Sequence, residues 1–151
     1  MRWRYSTHLF ASLGELWLVK GNAARAWEFA ERCLEIATPT NSRKYLVKGY
    51  RLKGEIALAR RQWDEAEGLL RHALAIAQAI GNPTQLWRTH LALGRLYAAT
   101  KKPERARQAF RSAREVIDRM KASLQNPGLR ASIENSPLIR HVYDLEAEHD
   151  L

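Results

Sequence analysis

The chain has 151 residues, 46% of them apolar and 27% charged, with one cysteine. That length suits one compact domain or a short array of repeats, no apolar run approaches the ~20 residues of a membrane span, and Met1-Arg2-Trp3-Arg4-Tyr5-Ser6 lacks the apolar stretch of a secretory leader. A net charge of +9 favours acidic partners through a long-range field, while the lone Cys33 excludes an intrachain disulfide framework and suits a reducing compartment, so the expected location is the cytoplasm.

Internal repetition organises the chain. Gly14, Gly54 and Gly94 stand 40 residues apart, and laying the sequence on that period aligns further positions. Ala26, Ala66 and Ala106 coincide, as do Ala30, Leu70 and Phe110, and Cys33, Ala73 and Ala113. A bulky residue precedes each glycine by four (Phe10, Tyr50, His90), and Trp17, Ala57 and Tyr97 follow it by three. The repeats cover about 3–41, 42–81 and 82–122, and each reads as two helices.

In the first repeat Gly21-Asn22 marks the turn between the helices. In the second, a helix over Arg43–Arg60 leads through Arg61-Gln62-Trp63 into another whose first turn holds Asp64 and Glu65, where the helix dipole favours negative charge. Ala66, Leu69, Leu70, Ala73, Leu74 and Ala77 give that helix an apolar stripe. Gly81 supplies its stop, and Asn82-Pro83 restarts the chain as N-cap and first helical residue. Lys101-Lys102-Pro103-Glu104 makes the third repeat's turn. After Lys121 the period lapses. Asn126-Pro127 and Ser136-Pro137 start a short helix near 127–134 and a longer one near 137–148, whose Leu138, Ile139, Val142, Tyr143 and Leu145 would cover the end of the last hairpin. No segment alternates as a strand does.

This pattern resembles the tetratricopeptide repeat: a bulky residue, Leu-Gly, an aromatic, then Ala with Phe four later. The third unit carries Leu93-Gly94, Tyr97, Ala106 and Phe110, with His90 in place of the usual Trp. The first has Phe10, Leu13-Gly14, Trp17 and Ala26, but Ala30 where Phe is usual. The second has Tyr50, Gly54, Ala66 and Leu70, departing at Lys53 and Ala57. The resemblance implies one all-α domain over 1–151: a solenoid of three antiparallel helix hairpins with C-terminal capping helices. Glycines and alanines are expected where the helices of a hairpin cross closely, and bulky residues in the gaps between hairpins. The long period is similar to that of kinesin light chains and of bacterial signalling regulators, and 129–140 resembles the C-terminal end of repeat regions in large ATPase-linked regulators.

The resemblance also implies a function: a protein-interaction module whose first helices line a concave groove. Carried over by register, the groove positions are His8, Ala11 and Glu15, then Lys48, Arg51 and Glu55, then Arg88, Leu91 and Arg95. Family members that clamp a C-terminal carboxylate use Lys and Asn, and Glu15, Glu55 and Arg95 occupy the Asn positions here. Lys48, Arg51, Arg88 and Arg95 instead suit an acidic peptide or helix through charge-assisted contacts.

The residues themselves offer no catalytic set, metal site or cofactor site. There is no glycine-rich phosphate loop, HExxH or CxxC. His8, His72, His90, His141 and His149 lack metal-ligand spacing, and His141 with Asp144 is a solvated pair three residues apart rather than a catalytic one. Cys33 fills a small-residue slot and reads as a packing residue. The chain is therefore expected not to be an enzyme. Two other readings stay open. Residues 81–122 hold ten Lys and Arg against three Asp and Glu, so Arg105, Arg107, Arg111 and Arg114 would suit nucleic acid, with Trp3 and Trp87 as the surface rings for base stacking. Alternatively the chain self-associates: its acidic tail (Asp144, Glu146, Glu148, Asp150) would reach either its own basic third unit or the groove of a neighbour in a homodimer.

Overall fold

The 40-residue period is written into the backbone. Gly21, Arg61 and Lys101, one period apart, all take left-handed φ values of 81°, 59° and 58°. The next residue's N–H then reaches back to close the preceding helix: Asn22 N to Trp17 O at 2.9 Å, Gln62 N to Ala57 O at 2.9 Å and Lys102 N to Tyr97 O at 2.8 Å. This closure satisfies carbonyls the helix end would otherwise leave unpaired. At the second joint of the period, Asn41 and Gly81 are again left-handed, with φ of 49° and 66°.

These turns punctuate a chain that is helical elsewhere. A computed structural model describes residues 2–149, with side chains from 7 to 149. Among the described residues are eight helices and no strand: α1 (Arg2–Val19), α2 (Ala23–Thr40), α3 (Arg43–Ala59), α4 (Trp63–Ile80), α5 (Pro83–Ala99), α6 (Pro103–Ser123), α7 (Pro127–Glu134) and α8 (Pro137–His149). The starts follow from capping. Asn22 accepts from Arg25 N at 3.0 Å, Asn82 from Gln85 N at 3.2 Å, and Asn126 from Gly128 N at 2.8 Å and Leu129 N at 3.2 Å, each side-chain oxygen taking a donor the first turn cannot pair. Asp64 and Glu65 do lie in the first turn of α4.

The chain divides into two compact units, Met1–Gln85 and Leu86–Leu151. In the first, α1 packs on α2, α3 on α4, and α3 also packs on α2 and α1. Its crossings are closed by missing side chains. A Cβ on Gly54 would lie 2.6 Å from both Cδ2 and Cγ of Leu70, and one on Gly49 would lie 2.6 Å from Leu34 Cδ2, far inside van der Waals contact. Ala26, Ala30, Leu52 and Ile56 form a buried cluster flanked by Trp17, Leu18, Ala23 and Trp27. Burial of a side chain the size of Ile56 or Leu70 contributes about 1.5–3 kcal/mol.

The bulky residues ahead of the glycines do not simply fill gaps between hairpins. Phe10 stacks on Phe29 of its own hairpin, centroids 6.1 Å apart, and Tyr50 meets His72 of its own hairpin edge-on at 4.4 Å. Four positions before the glycine is about one helical turn, so these rings share the glycine's face and meet the second helix beside the crossing.

In the second unit, a Cβ on Gly94 would lie 2.5 Å from Cε1 of Phe110, so α5 and α6 cross as closely as α3 and α4. Against α6 lies α8, with Ile139 and Val142 buried. Its one buried charge, Glu146, meets Arg114 of α6 at 2.6 Å. Tyr143 donates its hydroxyl to Asp118, under Arg114 at 5.2 Å and Lys121 at 4.7 Å from the ring. The acidic tail thus reaches the basic third repeat of its own chain through Glu146; Asp150 and Leu151 lie outside the described residues.

Candidate protein-interaction surface

The side chains that register assigns to a groove fall into two sets, one in each unit. In the first unit, Arg51 is the focus. Its side chain is only 3% exposed, and a buried guanidinium is tolerated only when paired and hydrogen-bonded. It donates to Gln85 Oε1 at 2.5 Å and faces Glu15 Oε1 of α1 at 3.5 Å and Glu55 Oε1 of α3 at 3.6 Å. Three of the assigned residues, Glu15, Arg51 and Glu55, are therefore brought together, around a cation whose charge is spent within the fold. Lys48 is half-buried with its ammonium 5.4 Å from the centre of the Tyr45 ring. His8 is exposed, and Ala11 is buried in the hairpin.

In the second unit, Arg95 is exposed and Arg88 half-buried, its guanidinium 5.9 Å from the Trp87 ring. Leu91 is 3% exposed and belongs to the core rather than to a surface. Register alone cannot separate a groove position from a core position one helical step away, and at Leu91 the apolar side chain decides. Trp87, expected as a surface ring for base stacking, is likewise buried at 5% exposure. The side chain of Trp3 lies outside the described residues.

Of the third repeat's arginines, Arg107 is paired with Glu104 and Arg114 with Glu146. Arg105 sits 5.8 Å from the Tyr97 ring. The exposed cations of the third repeat are Arg95, Lys101, Lys102, Arg105, Arg111 and Arg119.

Several titratable groups are packing elements. Cys33 is fully buried, with Sγ 3.6 Å from Tyr45 O, and burial pushes its thiol up to about 11, against a smaller opposing pull from Lys48. Burial lowers the His90 pKa, partly offset by the carboxylate of Glu115. His149 tilts against Phe110 at 5.0 Å. Among the described residues no three His, Cys, Asp or Glu side chains converge as a metal site requires, and no helix is long and apolar enough to cross a membrane.

One residue that carries this arrangement was not singled out by sequence: Gln85 tethers Arg51 from 34 positions away, a separation without periodic signal. Glu146, read in the sequence as part of the acidic tail, is the member of that tail that with Ile139 and Val142 occupies i, i+3 and i+7 of an apolar face, where a carboxylate demands a cation.

Helical hairpins joined at a fixed period, crossing at glycine and alanine, define a helical-repeat protein. The sequence pattern of the tetratricopeptide repeat matches residues 45–119, and the chain belongs to that family, whose repeats serve as scaffolds for binding other proteins. No curated protein matches the chain.

Proposed function

We propose that the chain is a non-enzymatic protein-interaction module and that its ligand is an acidic peptide or helix. The observation that carries this reading is the state of the charges on the first helices. Glu15 and Glu55 are both directed at Arg51, so one of their two charges is compensated within the fold. On α5 the exposed Arg95 favours a ligand of negative charge, through charge-assisted hydrogen bonds to carboxylates. Long-repeat regions of bacterial regulators provide the parallel for such a module.

The test is selection from a displayed peptide library against the chain and against an Arg88→Glu/Arg95→Glu variant. Peptides rich in Asp and Glu should be enriched by the parent and lost by the variant, with an unchanged helical spectrum. Enrichment of neutral peptides, or equal enrichment by both proteins, overturns the reading. Arg51 is left out of the variant, because reversing a buried charge held by two carboxylates would destabilise the fold.

A nucleic-acid ligand is the second reading, favoured by the exposed Lys101, Lys102, Arg105, Arg111 and Arg119 and opposed by the burial of Trp87. Binding of single-stranded or duplex DNA whose affinity falls steeply with salt would support it.

A further inference from the structure

Helix α8 packs on α6 as α3 packs on α2, so it takes the place that the first helix of a further repeat would take. The two contacts are built differently. Between α2 and α3 the joint is apolar: Leu34 is buried where a Cβ on Gly49 would meet it, and Leu52 and Ile56 cluster with Ala26 and Ala30. Two periods after Leu34 comes Arg114, which keeps 43% of its side chain exposed and meets Glu146 of α8 at 2.6 Å. Polar contacts continue along the joint. Asp118 lies 3.6 Å from Arg114 and 3.9 Å from Lys121 and accepts a hydrogen bond from the Tyr143 hydroxyl, and both cations flank the Tyr143 ring. The buried apolar side chains of α8 are Ile139 and Val142. An ion pair whose cation is nearly half exposed is screened by salt and holds less firmly than buried apolar side chains do. From 122 to 138, moreover, no residue is buried, so α8 can leave α6 without unpacking the segment that tethers it.

We infer that α8 is a displaceable occupant of this site, and that α6 receives in its place an acidic amphipathic helix from a partner protein. What α6 selects is visible in what already sits on it. Helix α6 carries six Lys and Arg against three Asp and Glu, and α8 carries three Asp and Glu against one Arg, so the two helices are complementary in charge. The recognised pattern is the one α8 presents: aliphatic residues at i and i+3, an aromatic ring at i+4 between two cations, and a carboxylate at i+7 for Arg114. Helices that dock through anchors at this spacing are read one face at a time. The inference goes beyond the groove reading and uses none of the residues assigned to the groove.

The probe is a labelled synthetic peptide of residues 137–149. Against the parent chain, peptide and α8 are the same helix, so half-displacement requires free peptide at the effective concentration of the tethered α8, about 1 mM, whatever the strength of the contact. In Glu146→Gln the tethered helix loses a charge that the peptide keeps. The apparent affinity should then rise about tenfold, between the worth of an exposed pair and a fully buried one. A peptide carrying the same Gln should lose that gain. Displacement itself is read by amide hydrogen exchange, which should quicken in residues 139–149 of the parent as well as of the variant when peptide is added. The Arg88→Glu/Arg95→Glu chain should bind the peptide as the parent does. Equal affinity of parent and Glu146→Gln, or exchange in α8 that peptide does not quicken, overturns the proposal. Loss of binding in Arg88→Glu/Arg95→Glu would place the peptide in the groove and overturn it too. Reversible dimerisation of Glu146→Gln without peptide would make the occupant α8 of a second copy and refute a partner protein.

Discussion

Glycine-to-alanine substitutions at Gly54 and Gly68 apply one chemical change to one unit and should give opposite signs. Both lie inside helices, α3 and α4, so each substitution gains about 0.8–1.0 kcal/mol of helix propensity. At Gly68 nothing lies within 4 Å of an added Cβ, and the gain is kept. In a chain of this size it should raise the midpoint by about 2–4 °C. At Gly54 the added carbon would lie 2.6 Å from Leu70 Cδ2 and Cγ and 3.4 Å from the Leu70 backbone nitrogen, where carbon contacts settle near 3.5–4.0 Å. Leu70 is fully buried, so it must leave its rotamer or α3 and α4 must separate by about 1 Å. Overpacking of this kind costs about 1–3 kcal/mol; set against the propensity gain, it leaves a net loss of up to about 2 kcal/mol. Thermal and urea unfolding followed by circular dichroism reads both signs. If Gly54→Ala raises the midpoint as Gly68→Ala does, the crossing is not closed by the missing side chain and the packing argument fails.

Two further outcomes follow from buried titratable groups. Cys33, its thiol pushed up to about 11 by burial, should resist a thiol-specific disulfide reagent at mildly alkaline pH in the native chain and react at once in denaturant; prompt native labelling would refute its packing role. His90 holds its proton less tightly folded than unfolded because burial disfavours the imidazolium, so its contribution to stability is full above the ordinary histidine range and is lost as pH falls through it. His90→Gln should therefore flatten the decline in stability between about pH 7 and 5, and parallel curves for parent and variant would sink that assignment.

What the sequence revealed was set by local chemistry. Asn126-Pro127 fixed a helix at Pro127–Glu134, because an N-cap oxygen and a proline at the first helical position need no tertiary context. The aligned alanines Ala26, Ala66 and Ala106 are all fully buried, because closely crossing helices leave room for little else. The candidate surface was less legible. Arg51 looked like a solvent-facing groove cation, yet it is buried among Glu15, Glu55 and Gln85. Sequence gives its helical angle but not the reach of carboxylates on a neighbouring helix. Trp87 misled in the opposite direction: an aromatic off the repeat's interior slots reads as exposed until the packing of α5 encloses it.

The first repeat shows why period and residue identity are separate signals. Its Ala30 stands where the later repeats have Leu70 and Phe110, the side chains that close on Gly54 and Gly94. Ala30 is too short to do the same for Gly14. The space is taken from the next hairpin, since the group nearest an added Cβ on Gly14 is Leu52 Cδ2 of α3. Leu52 is itself the large member of its aligned set, the others being Ser12 and Ala92. Volume lost at position 30 thus reappears at position 52, as close packing requires. The α1–α2 crossing is thus closed at Gly14 chiefly by Leu52 of the next hairpin, with Ala26 O and Phe29 Cβ of α2 behind it at 3.4 and 3.5 Å, whereas Gly54 is closed by Leu70 of its own hairpin. In a repeat protein such a contact is part of the nearest-neighbour coupling that makes hairpins fold together, and here Leu52 shares it with Ile56 of α3, both clustered with Ala26 and Ala30 of α2.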